Sequence, residues 1–188
     1  MSDLTPSVTL SRRLSYLLRH APHEAGLTLA PGGWVAVQEL LHGLARQGLP
    51  VSAEQLAAVV AGSEKQRFSF DASGERIRAN QGHSVPVDLE LTPQTPPELL
   101  YHGTAAQAVA AILREGLQRR QRHHVHLSPD NDTARTVGAR RGRPVILRVD
   151  AAAMHAAGHL FYRSENGVWL TDCVPPEFLT VLPGQGTP

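Results

Sequence analysis

The sequence predicts an α+β fold in two parts, on three observations. The first half carries three helical patterns followed by two short strand patterns. Four prolines lie within residues 85–97, where they favour an extended linker and discourage a helix. The rest of the chain is rich in short apolar segments separated by turn residues, which are typical of strands. We therefore expect one domain at residues 1–94 and a second at residues 95–188.

Three helices are expected before the linker. Apolar residues at i, i+4, i+7 and i+8 predict an amphipathic helix over residues 9–19. A second is expected over Val37–Arg46. Ser52, followed three residues later by Gln55, resembles a capping box and predicts a third helix that ends near Ala61.

A β-hairpin is expected next. Period-two patterns at Phe68–Phe70 and residues 77–79 flank a turn at residues 71–74. Three helices followed by a hairpin favour a winged-helix arrangement, which usually binds nucleic acid and in other cases binds protein.

The second half is expected to be rich in strands. A helix is predicted over residues 105–115 with Gly116 at its end, and a shorter one near residues 133–141. The strands are expected at residues 125–127, 144–149, 161–162, 167–170 and 178–182.

Composition excludes several classes of protein. The 188 residues are 41% hydrophobic and 19% charged, with a formal net charge of +1, as in an ordinary globular protein. No apolar run approaches the roughly 20 residues that span a bilayer, and no secretory signal is recognisable. Because Cys173 is the only cysteine, an internal disulfide and a multi-cysteine zinc site are excluded. We expect a cytoplasmic protein and take a monomer as the default.

Arginines are concentrated in one window. Residues 114–143 contain eight arginines against three acidic residues, a surplus of five charges in a chain of net charge +1. Because the planar arginine fork suits phosphate oxygens, a phosphate-rich ligand is one interpretation. A solvated arginine helix face is the alternative. The strand pattern His-Val-His-Leu-Ser in the same window favours the first.

Other candidate residues are ambiguous when each is taken alone. Arg19 and His20 complement the dipole at the end of the predicted first helix, and Arg67 merely precedes a strand. The segment Tyr-His-Gly-Thr at residues 101–104 combines a histidine at a strand end, a glycine and a helix start. That order suits either a nucleotide ribose or amide, or a plain strand-to-helix turn.

Metal and common nucleotide motifs are not indicated. His124 and His126 alternate along a strand and so share a face, which invites a zinc interpretation. No third ligand stands at a suitable spacing, so no metal is expected. The phosphate-binding loops of P-loop and Rossmann proteins are also missing from the sequence.

Seven short blocks stand in order along nearly the whole chain. They are LSRRLSYLLRH (residues 10–20), GLTL with GWV (26–35), IRANQGHS (77–84), YHGT (101–104), HVHLS (124–128), VGAR (137–140) and NGVWLTD (166–172). Together they resemble the Tpt1/KptA family of RNA 2′-phosphotransferases. The resemblance implies an amino-terminal winged-helix lobe that binds RNA and a carboxy-terminal, ADP-ribosyltransferase-like lobe that binds NAD+, with the active site in the cleft between them.

The resemblance also implies a two-step reaction on an RNA with an internal 2′-phosphate, as at a spliced tRNA junction. In the first step, the 2′-phosphate attacks the anomeric carbon of the NAD+ ribose and expels nicotinamide. In the second, the ribose 2″-hydroxyl attacks phosphorus, releasing 2′-hydroxyl RNA and ADP-ribose 1″,2″-cyclic phosphate.

The catalytic Arg-His-Arg-Arg set of the family matches Arg19, His20, Arg67 and Arg140. The guanidinium groups would compensate the charge of a phosphate that needs no base to activate it. His20 would orient the 2″-hydroxyl or carry its proton. Val168 stands where many wider relatives have a glutamate, which a phosphate nucleophile makes dispensable.

The implied NAD+ site draws on two segments. They supply His102, Gly103 and Thr104 near the nicotinamide riboside and adenosine ribose, and His126, Ser128 and Asp130 near the pyrophosphate and adenosine. Arg122 matches an arginine of the family and Arg141 replaces a frequent histidine, and neither is assigned a role.

Two other functions fit the same residues. One is an ADP-ribosyltransferase that modifies nucleic-acid phosphates and stops after the first step. The other is a winged-helix protein that binds nucleic acid and catalyses nothing.

Overall fold

The chain divides into two units between Glu90 and Leu91, and each unit has its own hydrophobic core. The computed structural model describes residues 6–63, 65–139 and 144–183. Helices and small antiparallel sheets are both present, so the predicted α+β class is confirmed. Within the described ranges, no helix has the length and apolarity that crossing a bilayer requires.

The first unit contains the expected helices. They are α1 (Pro6–Arg19), α2 (Val37–Arg46) and α3 (Ala53–Ala61), with 3-10 turns at Pro22–Ala25 and Pro31–Gly33 between the first two. The capping box at the start of α3 is confirmed. The Ser52 hydroxyl accepts from Gln55 N at 3.2 Å, and Gln55 Oε1 accepts from Ser52 N at 2.9 Å.

Apolar stripes of these helices form the core of the first unit. Fully buried leucines come from all three helices, namely Leu14, Leu17, Leu18, Leu40, Leu44 and Leu56. Burying each such side chain is worth about 1.5–3 kcal/mol relative to exposure. The leucine period in the sequence therefore predicted both α1 and its buried face.

A three-stranded antiparallel sheet completes the first unit. Its order is β1 (Val35–Ala36), β3 (Arg76–Ala79) and β2 (Phe68–Phe70). The hairpin of β2 and β3 was predicted, whereas β1 was not. With only two residues, β1 carries no readable alternation, and its pairing with Ile77 and Arg76 is what defines it.

The second unit contains three small antiparallel sheets. In order of pairing, they are β11 (Leu179–Val181), β7 (Pro144–Asp150) and β4 (Leu99–Ala105); β6 (Val125–Leu127), β9 (Trp169–Thr171) and β8 (Tyr162–Arg163); and β10 (Cys173–Val174) with β5 (Leu117–Gln118). The β4–β7 pair is the longest, from Leu99 opposite Asp150 to Ala105 opposite Pro144.

The described helices of the second unit are α4 (Ala106–Glu115), α5 (Asn131–Gly138) and α6 (Ala151–Ala156). The sequence predicted α4 and α5 but missed α6, which is too short to show a helical period. Its available signal was Asp150, whose side chain accepts from Ala153 N at 3.0 Å and caps the helix.

Candidate active site

Arg19, His20 and Arg67 lie in the first unit, and the structure brings them together. The Arg19 Nη2 donates to the backbone oxygen of Arg67 at 3.5 Å, across 48 positions of sequence. His20 and Arg67 line the same groove, whose volume is about 570 Å3. The end of α1 and the entry to β2 thus meet at one place, which neither segment shows in its own sequence.

The segment that follows β3 holds the end of α1. Ser84 N donates to the backbone oxygen of Arg19 at 2.9 Å. The Ser84 hydroxyl lies 2.8 Å from His20 Nδ1, so the two atoms share a hydrogen bond. Because Nδ1 is engaged in this way, the edge of the imidazole that carries Nε2 faces away from Ser84.

Gly82 belongs to the same segment. Its φ of 90° favours glycine. A Cβ built there would lie 3.6–3.8 Å from atoms of the Arg19 side chain, so this guanidinium stem packs against the glycine backbone.

Asn80 holds the turn that presents Arg67. Gln66 has a φ of 41°, which is uncommon for a residue with a side chain. Asn80 Nδ2 donates to the Gln66 oxygen at 2.7 Å, and Asn80 N donates to the Arg67 oxygen at 3.0 Å. Asn80 is only 8% exposed, and its buried Oδ1 has no hydrogen-bond partner among the described residues.

Sequence reasoning did not assign Asn80 or Ser84 to the site. Both belong to the IRANQGHS block, which directly follows β3, so their position was visible. What the sequence did not show is that this block returns to α1 and to the turn before β2. His83, in the same block, is fully buried and packs beside Gly33 in the interior of the first unit.

Arg140, the fourth predicted catalytic residue, lies outside the described residues, as does Arg141.

His102, His126 and Ser128, predicted to contact NAD+, lie together in the second unit. The backbones of Tyr101 and Ser128 exchange two hydrogen bonds, of 2.9 and 2.8 Å. His102 Nδ1 donates to the His126 oxygen at 3.0 Å, which fixes the tautomer that carries its proton on Nδ1. Burial lowers the pKa of His102, so the neutral ring with an accepting Nε2 is favoured.

The strand extends further through residues 101–104 than the sequence predicted, whereas the helix begins within one residue of its predicted start at residue 105. All four lie inside β4, paired with β7, and α4 begins only after Ala105. Thr104 stands opposite Val145. A Cβ on Gly103 would overlap the oxygen of Ala134, so glycine here permits α5 to pack on the strand.

Asp130 has a structural task that the sequence reasoning did not assign. Its carboxylate accepts from Thr133 N at 2.7 Å and from the Thr133 hydroxyl at 2.9 Å, which caps α5. Among the described residues, no cluster of three or more His, Cys, Asp or Glu side chains has the arrangement of a metal site.

Comparison with known proteins adds to this geometry. The family model described as "RNA 2′-phosphotransferase, Tpt1 / KptA family" matches residues 5–173. A Nostoc punctiforme protein named "Probable RNA 2′-phosphotransferase" is 58% identical over 179 residues, which are 95% of this chain and 98% of that protein. Proteins of the same name from Streptomyces griseus and Burkholderia lata are each 56% identical, over 184 and 171 residues. These matches cover 94% and 90% of this chain, and 97% and 88% of the two proteins.

Proposed function

Because the chain belongs to the Tpt1/KptA family of RNA 2′-phosphotransferases, we propose that it transfers an internal RNA 2′-phosphate to NAD+. Membership in the family makes the chain a transferase that acts on RNA 2′-phosphate. The proposal adds the co-substrate, the order of bond changes and the role of each residue. Its main support is that His20 and Arg67 line one groove and that Arg19, next to His20, donates to the backbone oxygen of Arg67.

In the first step, an oxygen of the 2′-phosphate bonds to C1″ of the NAD+ ribose. The bond from C1″ to nicotinamide breaks, and its electron pair leaves with nicotinamide. The guanidinium groups of Arg19 and Arg67 hold the phosphate dianion and align it for attack. Arg140 is proposed as the third cation on this phosphate.

In the second step, the ribose 2″-hydroxyl attacks phosphorus, and the bond from phosphorus to the RNA 2′-oxygen breaks. We assign His20 Nε2 to accept the hydroxyl proton, since Ser84 engages Nδ1. The resulting imidazolium returns the proton to the departing 2′-oxygen. The products are 2′-hydroxyl RNA and ADP-ribose 1″,2″-cyclic phosphate, so the proton and the phosphate are both accounted for.

NAD+ is assigned to the second unit. The neutral His102 offers Nε2 as an acceptor for a ribose hydroxyl, and His126 and Ser128 lie beside it. Gly103, Thr104 and Asp130 are assigned by resemblance; Gly103 and Asp130 also serve the packing and capping of α5. No metal has a part in the proposed chemistry.

The two units receive separate tasks. We assign residues 1–94 to a winged-helix lobe that binds the RNA. Residues 95–188 are assigned to an ADP-ribosyltransferase-like lobe that binds NAD+. A tRNA-like molecule with an internal 2′-phosphate is the proposed substrate.

An assay with a 2′-phosphorylated oligoribonucleotide tests the proposal. With NAD+, the expected products are 2′-hydroxyl RNA, nicotinamide and the cyclic phosphate, and omission of NAD+ abolishes them. An oligonucleotide with a terminal 3′-phosphate is the control. An ADP-ribosylated RNA that accumulates without resolving would instead indicate a transferase that stops after the first step. Retention of the 2′-phosphate at saturating NAD+ would reject the proposed reaction.

A further inference from the structure

The groove that contains His20 and Arg67 extends along α1 beyond them. One wall presents Ser7, Ser11 and Ser15, which are spaced four residues apart and so share a helix face, with Arg12 beside them. Across the groove lie Ser63 and Lys65. The side chains of Arg12 and Lys65 are exposed, and none of the described lining residues is acidic.

Arg12 is too far from His20 to share its phosphate. The two residues are eight positions apart along one helix and its last turn, about 12 Å along the axis. Helical side chains lean toward the amino terminus, which moves the Arg12 guanidinium further away. A ligand that reaches both Arg12 and His20 must therefore carry more than one anionic group.

Neighbouring residues of α1 differ in what they bind. Arg13 donates to Gln47 at 2.7 Å and to Glu24 at 3.2 Å, so it links α1 to other parts of the first unit. Arg12, one position earlier, faces the groove instead. The groove therefore holds a cation that the packing of α1 does not require.

Tyr16 stands midway between Arg12 and His20, four residues from each. Its hydroxyl donates to Glu24 at 2.6 Å, and the Arg13 guanidinium lies 5.2 Å from its ring centroid. The ring is therefore held in place, yet it lines the groove and remains 41% exposed. A fixed, exposed aromatic ring between the Arg12 cation and the proposed reaction site at His20 suits a base of a single-stranded nucleic acid.

We propose that the groove along α1 binds the RNA strand that flanks the reacting 2′-phosphate. Arg12 and Lys65 hold a neighbouring phosphodiester, the hydroxyl of Ser11 beside Arg12 donates to one of its oxygens, and Tyr16 stacks on the base between the two phosphates. The inference rests on the proposed function for the identity of the strand. It extends that function by making recognition of the substrate depend on more than one nucleotide.

Binding of labelled RNA without NAD+ tests this inference separately from catalysis. The probes are a hexaribonucleotide with a central 2′-phosphate and the corresponding dinucleotide, which is too short to span the groove. The wild type is expected to prefer the hexamer. The double variant Arg12→Gln/Lys65→Gln should lose that preference, and its slope of log affinity against log salt should fall by about 0.7, the value for one phosphate of a single strand.

Two further variants separate stacking from charge. Tyr16→Ala should weaken binding of the hexamer about tenfold while leaving its salt slope at the wild-type value, because base stacking releases no counterions. Arg114→Gln removes an exposed cation from the second unit and should leave hexamer preference and slope unchanged.

The outcomes separate the inference about RNA binding in the groove from the proposed reaction with NAD+. If the double variant keeps both the wild-type slope and the hexamer preference, the groove does not bind RNA and the inference is overturned. If the expected losses occur but no phosphate is released from the RNA in the presence of NAD+, the groove binds RNA as inferred and the proposed function is rejected.

Discussion

The guanidinium of Arg19 donates to the backbone oxygen of Arg67, with 3.5 Å between Nη2 and O. The same oxygen accepts from Asn80 N at 3.0 Å. One carbonyl group therefore links the last residue of α1, the residue before β2 and the residue after β3. Because the Arg19 guanidinium and Asn80 N both donate to the backbone of Arg67, the distance between the Arg19 and Arg67 side chains depends on Asn80 as well.

Asn80 is expected to act as a positioning residue. Asn80→Asp keeps the size of the side chain but loses the Nδ2 donor, and it places a carboxylate near the Gln66 oxygen. We expect kcat to fall about 10- to 100-fold, with a smaller change in KM for the RNA, because a displaced Arg67 aligns phosphate poorly. Steady-state kinetics on the 2′-phosphorylated RNA provide the measurement.

Ser73→Ala is a suitable control for Asn80→Asp. Ser73 donates to Asp71 at 3.0 Å in the turn between β2 and β3, so its loss perturbs the same hairpin without touching Gln66 or Arg67. The control should retain wild-type kcat. A wild-type kcat in Asn80→Asp would show that Asn80 does not position Arg67.

Ser84 is expected to set the orientation of His20. Ser84→Ala removes the partner of Nδ1 and lets the ring rotate, so kcat should fall about tenfold and the midpoint of its pH profile should move. Ser84→Thr retains a hydroxyl and should recover most of the rate. An unchanged pH profile in Ser84→Ala would contradict the assigned role.

His102 is expected to titrate below its ordinary pKa of 6.5, since burial disfavours its charged form. The unfolded chain then binds the proton more readily, so this residue lowers the stability of the folded protein as pH falls through about 6.5. Above that pH, its contribution to the pH dependence disappears.

The ring-proton chemical shifts of His102, followed by NMR, measure the pKa directly. Denaturant unfolding between pH 5 and pH 7 in wild type and in His102→Asn measures the linked change in stability, which the variant should reduce. A midpoint at or above 6.5 for His102 would contradict this account of its environment.

The fold was largely predictable where local signals are strong. The leucine period of α1, the capping box of α3 and the alternation of Phe68–Phe70 each act over a few neighbouring residues. Two-residue strands such as Val35–Ala36 carry no such signal, because only pairing with a distant segment defines them. The packing of α5 against Gly103 was not predicted for the same reason, since a contact with a distant segment is invisible in the sequence.

The candidate site was also predictable only where the signal is local, and not where it depends on contacts between distant segments. Arg19 and Arg67 were ambiguous as single residues, and only the ordered family blocks singled them out. Their contact spans 48 positions and depends on the return of the segment at Asn80. Asn80 and Ser84 were missed because their tasks consist of hydrogen bonds to other parts of the chain, which no residue pattern encodes.

The rate of 2′-phosphate loss in Arg19→Lys and Arg67→Lys tests the central claim most directly. Lysine keeps the charge but lacks the planar fork, so each variant should lose about 100- to 1,000-fold in the single-turnover rate with saturating NAD+. Arg46→Lys is the matched control, because Arg46 also binds a backbone oxygen, that of Ala25 at 2.8 Å, elsewhere in the first unit. The account predicts a wild-type rate for Arg46→Lys and severe losses for the other two. Near wild-type rates in both Arg19→Lys and Arg67→Lys would contradict it.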